Sequence, residues 1–290
     1  MSFQKRLTAN EFVVLAEMHT PKGVNISRLV NDARRIKGRV DAIVIPGMDN
    51  GIMRMSSIAG GVLMQQQGIE SIIHVYCRDR NRMALQGDLL AAHVLGIQNI
   101  VVAHSIDITE GDHREASPVN DIDETTLVKA ITTLQNGKDM EGFELDGIPT
   151  FNTGCTIAPF SDDKELQEQL ELAKAKIEAG AKYIITPPVF DVAYFNEVYA
   201  KIKELGVPVI PTVFLIKSLA IAQYIANTDS SAKISDEMIS RIRKSSNREL
   251  EGIKIAGETI ASLKDIAQGV LVQTLGWEYK LPEILDAAGC

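Results

Sequence analysis

Apolar and polar positions alternate in blocks along residues 71–107, and the rest of the chain repeats this arrangement. An apolar, β-rich run covers 72–76. After a polar cluster at 78–82, apolar residues recur every three or four positions up to Leu95. A second apolar run at 99–103 follows and leads into polar residues. Such a strand–helix–strand unit with short connections predicts a crossover whose two strands pair in parallel.

Eight strands alternate with helices when the same pattern is followed through the sequence. The predicted strands cover residues 12–17, 41–45, 72–76, 100–103, 150–156, 183–186, 209–214 and 269–272. The predicted helices cover 25–37, 54–66, 83–95, 124–134, 164–179, 192–205, a segment after 217–218, and 248–267, and the chain closes with residues 282–288. Because no Pro- or Ser-rich linker divides the chain, we predict a single α/β domain over residues 1–290, a (β/α)8 TIM barrel. A surface loop or hairpin is predicted at about 137–147, and an extra helix at about 236–243.

Composition narrows the classes of function. The chain has 290 residues, of which 45% are hydrophobic and 23% charged, and its formal net charge is -8. These values favour a folded core and argue against non-specific nucleic-acid binding. No apolar run reaches membrane-spanning length and the opening residues lack a signal-peptide core, so we expect a cytoplasmic protein without membrane insertion. Cys77, Cys155 and Cys290 show no metal spacing, which predicts reduced thiols and no metal site.

The carboxyl ends of the strands are the place to look for a site, because barrels bind their ligands there. Dinucleotide-binding GxGxxG and P-loop motifs are absent from the sequence. Glu17 ends an apolar strand at the barrel mouth, where partial desolvation raises the pKa of a carboxyl, as a general acid near neutral pH requires. The alternative is a rim carboxylate paired with Arg78 or Arg82. The pattern alone does not separate the two.

Two further features have competing interpretations. His74 lies inside the third strand among apolar neighbours, where a lone histidine is more often a hydrogen-bonded core residue than a ligand-binding one. The arginine cluster at 78–82 has the charge to hold an anionic cofactor. It is equally consistent with a solvated loop face in which Asp79 is the internal counter-ion.

Several segments carry a resemblance to a known family. They are AEMHTPKG at 16–23, MRMSS at 53–57, CRDRNRMALQGDLL at 77–90, LGIQNI at 95–100, AKAKIEAGAKYIIT at 173–186, VFD at 189–191 and LGWEYKLPEI at 275–284. In this order, nearly end to end, the sequence resembles the methylenetetrahydrofolate reductase family, above all the short form of anaerobic one-carbon (acetyl-CoA pathway) metabolism. Members of this family are flavoprotein barrels that reduce 5,10-methylenetetrahydrofolate to 5-methyltetrahydrofolate.

The resemblance implies roles for individual residues. Glu17 matches the glutamate that donates a proton toward the folate nitrogen as the methylene bridge opens. His74 matches a strand-three histidine that contacts the flavin, and Lys176 matches the lysine near the flavin phosphate and ribityl chain. The implied reaction is hydride transfer from reduced flavin to the methylene carbon of a five-iminium cation.

The implied cofactor is a flavin, FAD or FMN, lying across strands three to five. Ala103, His104 and Ser105, at the end of strand four, are then cofactor-binding residues together with His74 and Lys176. The implied partners are a folate substrate and an electron donor, which is either a partner subunit or NAD(P)H. We expect the chain to work as an oligomer or as a subunit of a complex.

Three strand ends depart from the family pattern. Residues 104–106 are His-Ser-Ile where the family has threonine or arginine, then glycine and aspartate, and Asp107 stands one position too late to replace that aspartate. Pro187 replaces a glutamine that meets the folate, and Pro46 replaces a strand-two threonine. Each change removes a polar group from the reaction centre that the resemblance implies.

The first interpretation is therefore a methylenetetrahydrofolate-reductase-like flavoprotein, an oxidoreductase. The alternative is a divergent paralogue that binds a folate or another methyl carrier, or a subunit of a larger redox complex with lost or altered reductase activity. A third interpretation, from another class, is a purely structural partner with an empty barrel mouth.

Overall fold

Eight parallel strands close into a barrel in which each strand pairs with its neighbours in the sequence and β1 pairs with β8. The computed structural model describes residues 2–290. The strands are β1 Val13–Glu17, β2 Ala42–Ile45, β3 Ser71–Val75, β4 Asn99–Val102, β5 Asn152–Thr156, β6 Ile184–Pro188, β7 Val209–Phe214 and β8 Gly269–Gln273. The predicted (β/α)8 barrel is confirmed.

Helices surround the barrel and cover its outer face. They are α1 Phe3–Thr8, α2 Ser27–Ile36, α3 Ser57–Gln66, α4 Arg82–Val94, α5 Glu124–Gln135, α6 Asp163–Ala179, α7 Val192–Lys203, α8 Leu219–Thr228, α9 Asp236–Lys244, α10 Arg248–Leu263 and α11 Leu281–Ala287. The predicted helix boundaries differ from these by a few residues. No helix within residues 2–290 has both the length and the apolar character that a bilayer crossing needs.

Alternate strand residues fill the barrel interior, because successive side chains of a strand point to opposite faces. Leu15 and Leu271 belong to this inner cluster, whereas Val14 packs in the outer layer against the helices. Tyr183 occupies the interior beside Gly154. A β-carbon at residue 154 would lie 2.4 Å from the tyrosine ring, so glycine is needed there for close packing.

A short N-terminal helix, α1, closes the amino-terminal end of the barrel and was not predicted from the sequence. Its Phe3 is fully buried and makes an edge-to-face contact with Tyr183, with 5.4 Å between ring centroids. The Phe3 amide donates to both carboxylate oxygens of Glu70 at 3.2 Å. A helix of six residues contains too few apolar positions to show a helical period, which explains why the pattern missed it.

Two other segments lie outside the regular repeat. Within the excursion after α5, Lys138 and Glu144 form an isolated antiparallel bridge. The last strand residue of β6, Pro188, pairs with Thr212 across a register irregularity that begins at Ile185. Proline has no N–H for a regular ladder, which accounts for an interruption at this strand end.

Replacing Phe3 by alanine should destabilise the fold by about 3–5 kcal/mol, the usual cost of emptying a buried aromatic site. Urea unfolding followed by circular dichroism measures the change. The matched control is Phe143→Ala, because Phe143 is 71% exposed and its removal should alter stability by less than about 0.5 kcal/mol. Equal losses in the two variants would show that α1 does not contribute to the core.

Candidate functional site

A buried carboxyl group, Glu17, lies at the carboxyl end of β1 inside the barrel mouth. Only 2% of the Glu17 surface is exposed to solvent. One carboxyl oxygen, Oε2, accepts a hydrogen bond of 2.8 Å from Nε2 of Gln273 on β8, and the other, Oε1, has no partner. Glu17 contacts neither Arg78 nor Arg82, since their carboxylate partners are Asp79 and Asp121. The side chain is thus fixed at one oxygen and free at the other.

Burial raises the pKa of Glu17 to about 7. The nearby His19 acts in the opposite direction and lowers the pKa, whereas the negative charge of Asp49 raises it further. A carboxyl group with this pKa holds a proton in a large fraction of molecules at neutral pH. It can therefore act as a general acid.

His74 and Tyr76 form a second buried pair, on the third strand and just beyond it. The Nδ1 atom of His74 lies 3.0 Å from the Tyr76 hydroxyl oxygen, and its Nε2 atom has no hydrogen-bond partner. Burial lowers the pKa of His74 to about 4, so the imidazole is neutral at physiological pH. The hydrogen bond agrees with a core histidine, while the free Nε2 leaves one polar atom for a ligand. Both interpretations of His74 stay open.

Lys176 on α6 joins a network at the ends of β4 and β5. Its ammonium group is 3% exposed and donates to Oε2 of Glu124 at 2.8 Å and to the Thr156 carbonyl at 2.7 Å. The other Glu124 oxygen lies 3.2 Å from Nδ1 of His104. Burial raises the pKa of Glu124, but His104 and Lys176 outweigh it and the net pKa is lowered. Glu124 is therefore a carboxylate that neutralises Lys176.

A cleft of about 510 Å³ opens beside this network. Four of the five predicted cofactor-binding residues, Ala103, His104, Ser105 and Lys176, line it together. The fifth, His74, lines a different, small cavity next to α3 and α4. The structure therefore brings together the residues at the ends of β4 and α6 and leaves His74 apart from them.

Arg78 is a buried connector between loops. Its guanidinium group is 4% exposed and pairs with Asp79 at 2.7 Å. It also donates to the carbonyls of Met48 and Ile106, so it links the loops after β2, β3 and β4. Asp79 is the counter-ion of Arg78, as the sequence interpretation had it, but Arg78 itself is buried, whereas the Arg82 side chain is 45% exposed. Arg78 also lines the cleft beside Lys176, although most of its donors are used by these contacts.

The positions that depart from the family pattern lie in four different settings. Ile106 is 39% exposed. Asp107 caps the 3₁₀ turn at 108–110 by accepting from the Thr109 amide at 2.8 Å. Pro187 lines an apolar cleft of about 180 Å³ between β6, α7 and α8, and Pro46 is buried. Asp107 is thus committed to its own turn.

Sequence reasoning assigned no role to His19 and Asp49, although both lie next to Glu17. His19 Nδ1 is 3.9 Å from Glu17 Oε1, and His19 Nε2 is 3.4 Å from Asp49 Oδ1. The available signal was the spacing of Glu17 and His19, because residues two apart on an extended chain share a face. Asp49 gave no such signal, since it belongs to a loop. Among residues 2–290, no group of three or more His, Cys, Asp or Glu side chains has the arrangement of a metal site.

The fold and the mouth define a (β/α)8 barrel with its polar cluster at the carboxyl ends of the strands, where barrel enzymes hold their substrates. The model of the family described as methylenetetrahydrofolate reductase matches residues 2–289. The chain belongs to this family.

The chain is also similar to a curated relative and to two solved structures. A Caenorhabditis elegans protein named "Probable methylenetetrahydrofolate reductase (NADPH)" is 22% identical over 175 residues, which cover 59% of this chain and 24% of the relative. The match therefore spans about a quarter of that relative's length. A Clostridium thermocellum protein that binds two copies of 5-methyl-5,6,7,8-tetrahydrofolic acid has a TM-score of 0.63 at 14% identity, covering 98% of this chain and 97% of that one. An F420-dependent secondary alcohol dehydrogenase has a TM-score of 0.56 at 8% identity, covering 96% and 99%. At these identities the two structures support the fold alone.

The raised pKa of Glu17 predicts a cost in stability above neutral pH. The ordinary pKa is 4.5 and the folded value is about 7, so the folded state must ionise a carboxyl that the unfolded state ionises readily. The cost is absent below pH 4.5, grows between 4.5 and about 7, and reaches on the order of 3 kcal/mol at pH 8. Glu17→Gln should therefore be more stable than the wild type at pH 8 and of equal stability near pH 4.5.

Guanidinium unfolding at both pH values measures this difference. Glu168→Gln is the matched control, because the Glu168 side chain is 60% exposed and should give no pH-dependent gain. If Glu17→Gln is no more stable than the wild type at pH 8, the Glu17 carboxyl does not carry a raised pKa.

Proposed function

We propose that the chain is a methylenetetrahydrofolate reductase that uses a flavin to reduce 5,10-methylenetetrahydrofolate to 5-methyltetrahydrofolate. The observation that carries this proposal is the buried Glu17 carboxyl at the barrel mouth, with a pKa of about 7 and one free oxygen. Family membership supports the substrate class.

Glu17 supplies the proton in this proposal. Gln273 holds Oε2, so the acidic proton is on Oε1 and faces the reacting nitrogen of the folate. Burial keeps the group protonated near pH 7 and also excludes water that would compete for the proton. When bound, the reduced flavin supplies the hydride that reaches the methylene carbon.

The cleft at the ends of β4 and α6 fits a flavin nucleotide. Its volume of about 510 Å³ is within the range of cofactor pockets. Lys176 uses two of its three N–H donors, for Glu124 and for the Thr156 carbonyl, and keeps one for a phosphate or ribityl oxygen. His104 and Ser105 line the same cleft and offer further polar groups. The electron donor is proposed to be NAD(P)H or a partner subunit, and the chain an oligomer or a complex subunit.

A second candidate is a paralogue that binds a folate or another methyl carrier without reducing it. The observation in its favour is the Glu124 carboxylate, which neutralises Lys176 and opposes a phosphate in the same cleft. Ile106 and Pro187, which stand where the resembling family has polar residues, point the same way. Such a protein would bind 5-methyltetrahydrofolate and remain colourless.

Reconstitution with FAD and with FMN tests the proposal. The purified protein should show flavin bands, and its reduced form should be reoxidised by methylenetetrahydrofolate with formation of 5-methyltetrahydrofolate. Glu17→Gln should retain the flavin and slow reoxidation by about 10²–10⁴-fold, because the general acid is missing. Glu168→Gln, with its exposed side chain, is the control and should react like the wild type.

Each failure has a separate meaning. A protein that stays colourless but binds 5-methyltetrahydrofolate, measured by the fluorescence of its single tryptophan, Trp277, supports the paralogue. A flavoprotein whose Glu17→Gln variant reacts at an unchanged rate removes Glu17 from the reaction. Bleaching of the flavin by NADH or NADPH identifies the donor, and its absence favours a partner subunit.

A further inference from the structure

Five buried polar atoms without hydrogen-bond partners belong to Glu17, to His19 and to the segment after β2. They are Glu17 Oε1, His19 Nε2, Asp49 Oδ1, Asn50 Oδ1 and Arg54 Nε. All five belong to the end of β1 or to the segment after β2. Leaving buried polar atoms unpaired costs free energy, and such a cluster marks a site where protons or ligands are exchanged.

His19 stands between two acids. Its Nδ1 atom lies 3.9 Å from Glu17 Oε1, and its Nε2 atom lies 3.4 Å from Asp49 Oδ1. The side chains of Glu17 and His19 are 2% and 8% exposed, whereas that of Asp49 is 29% exposed. The exposed fraction of the side chain thus increases from Glu17 to His19 to Asp49.

A second cleft, of about 580 Å³, lies on the other side of His19. His19, Asn50, Arg54, Arg28 and Glu278 are among its lining residues, and none of them lines the cleft beside Lys176. The Arg28 side chain is 64% exposed, so solvent reaches this second cleft. Glu17 is absent from its lining, which makes His19 the group between the solvent of the cleft and the acid.

We propose that His19, which lies beside Asp49, is a proton relay that returns a proton from this second cleft to Glu17. The proposal rests on the proposed function, in which each turnover removes the proton of Glu17. A flavin and a folate bound over the mouth would cover the direct route to an acid that is already 2% exposed. A lateral route through His19 remains open in that state.

The relay begins with the transfer of one proton from His19 to Glu17. The imidazolium of His19 gives its Nδ1 proton to Glu17 Oε1, so one N–H bond breaks and one O–H bond forms. The two side chains must approach by about 1 Å to reach hydrogen-bond distance. The ring becomes neutral and keeps its Nε2 proton beside Asp49. A hydronium ion of the second cleft then protonates Nδ1 and is left as water, which restores the imidazolium. The net change is one proton moved from solvent to Glu17.

The charges around His19 suit this exchange. Burial lowers the pKa of His19, and Arg54 lowers it further, but Asp49 and Glu17 outweigh both and the net pKa is raised. Glu17 faces His19, Asp49 and Glu278 and has a pKa of about 7. Asp49 faces His19 and His74, and its pKa is lowered, so it stays ionised. The pKa of the acceptor is thus raised by burial, and that of the donor is raised by its two acidic neighbours.

Histidine titration by NMR tests the coupling without any need for activity. The chain has five histidines, which single His→Gln variants can assign. Glu17→Gln and Asp49→Asn should each lower the pKa of His19, because each removes a negative charge beside the ring. Glu124→Gln is the matched control, since Glu124 adjoins His104 and its loss should leave the His19 titration unchanged. If the pKa of His19 is the same in Glu17→Gln as in the wild type, the relay is overturned.

The pH profile of turnover then separates a relay from a structural role. His19→Gln should lower kcat by about tenfold or more and move the alkaline limb to higher pH, because the cation that lowers the Glu17 pKa is gone. Added imidazole should partly rescue His19→Ala. His113→Gln is the control and should behave like the wild type, since the His113 side chain is 57% exposed.

The outcomes distinguish the two proposals. If His19→Gln lowers the rate without moving the alkaline limb of the pH profile, and imidazole does not rescue His19→Ala, His19 has a structural role and the relay is overturned. A wild type that shows no reduction at all sinks the proposed function. In that case the NMR titration still decides whether His19 and Glu17 are coupled, and an uncoupled pair overturns the relay.

Discussion

The pairing of β1 with β8 is the contact on which the mouth of this barrel depends. It joins the first strand to the last and aligns Leu15 with Leu271, so the interior closes around one set of side chains. The same closure brings Gln273 to Glu17, although the two residues are 256 positions apart. An open sheet would leave the carboxyl in water with its ordinary pKa. The acidity of Glu17 is therefore a property of the closed barrel rather than of the residue alone.

Burial gives the mouth its chemistry at the expense of stability. Desolvation shifts both Glu17 and His74 toward their neutral forms, the carboxyl through a raised pKa and the imidazole through a lowered one. Elsewhere the fold avoids such costs by pairing its buried charges, as with Lys176 and Glu124 or Arg78 and Asp79. Unpaired polar atoms collect around Glu17 and are accompanied by a solvent-lined cleft. This distribution is typical of a site selected for reaction and not for packing.

Much of the fold follows from local sequence, and less of the site does. Apolar runs interrupted by helical periods were enough to predict eight strands, because each strand is buried on both faces. The same reasoning placed Glu17 at a strand end. It missed α1, because six residues are too few to show a helical period. It also gave no sign that Glu124, 52 residues from Lys176 in the sequence, would neutralise that lysine. Contacts between loops depend on how far each loop extends past the barrel. The sequence of one loop does not indicate which residues of other loops it will contact.

Arg78 has a consequence for how this barrel can change over time. In a (β/α)8 fold the loops that follow the strands ordinarily vary one by one, which is how the architecture acquires new specificities. Here one buried guanidinium binds the backbone of two loops, at Met48 and Ile106, and a carboxylate in its own. An insertion or deletion in any of the three displaces the shared partner of the other two. A lysine could not take over, because its point charge lacks the planar array of donors. The loops after β2, β3 and β4 are therefore expected to diverge as one inherited block.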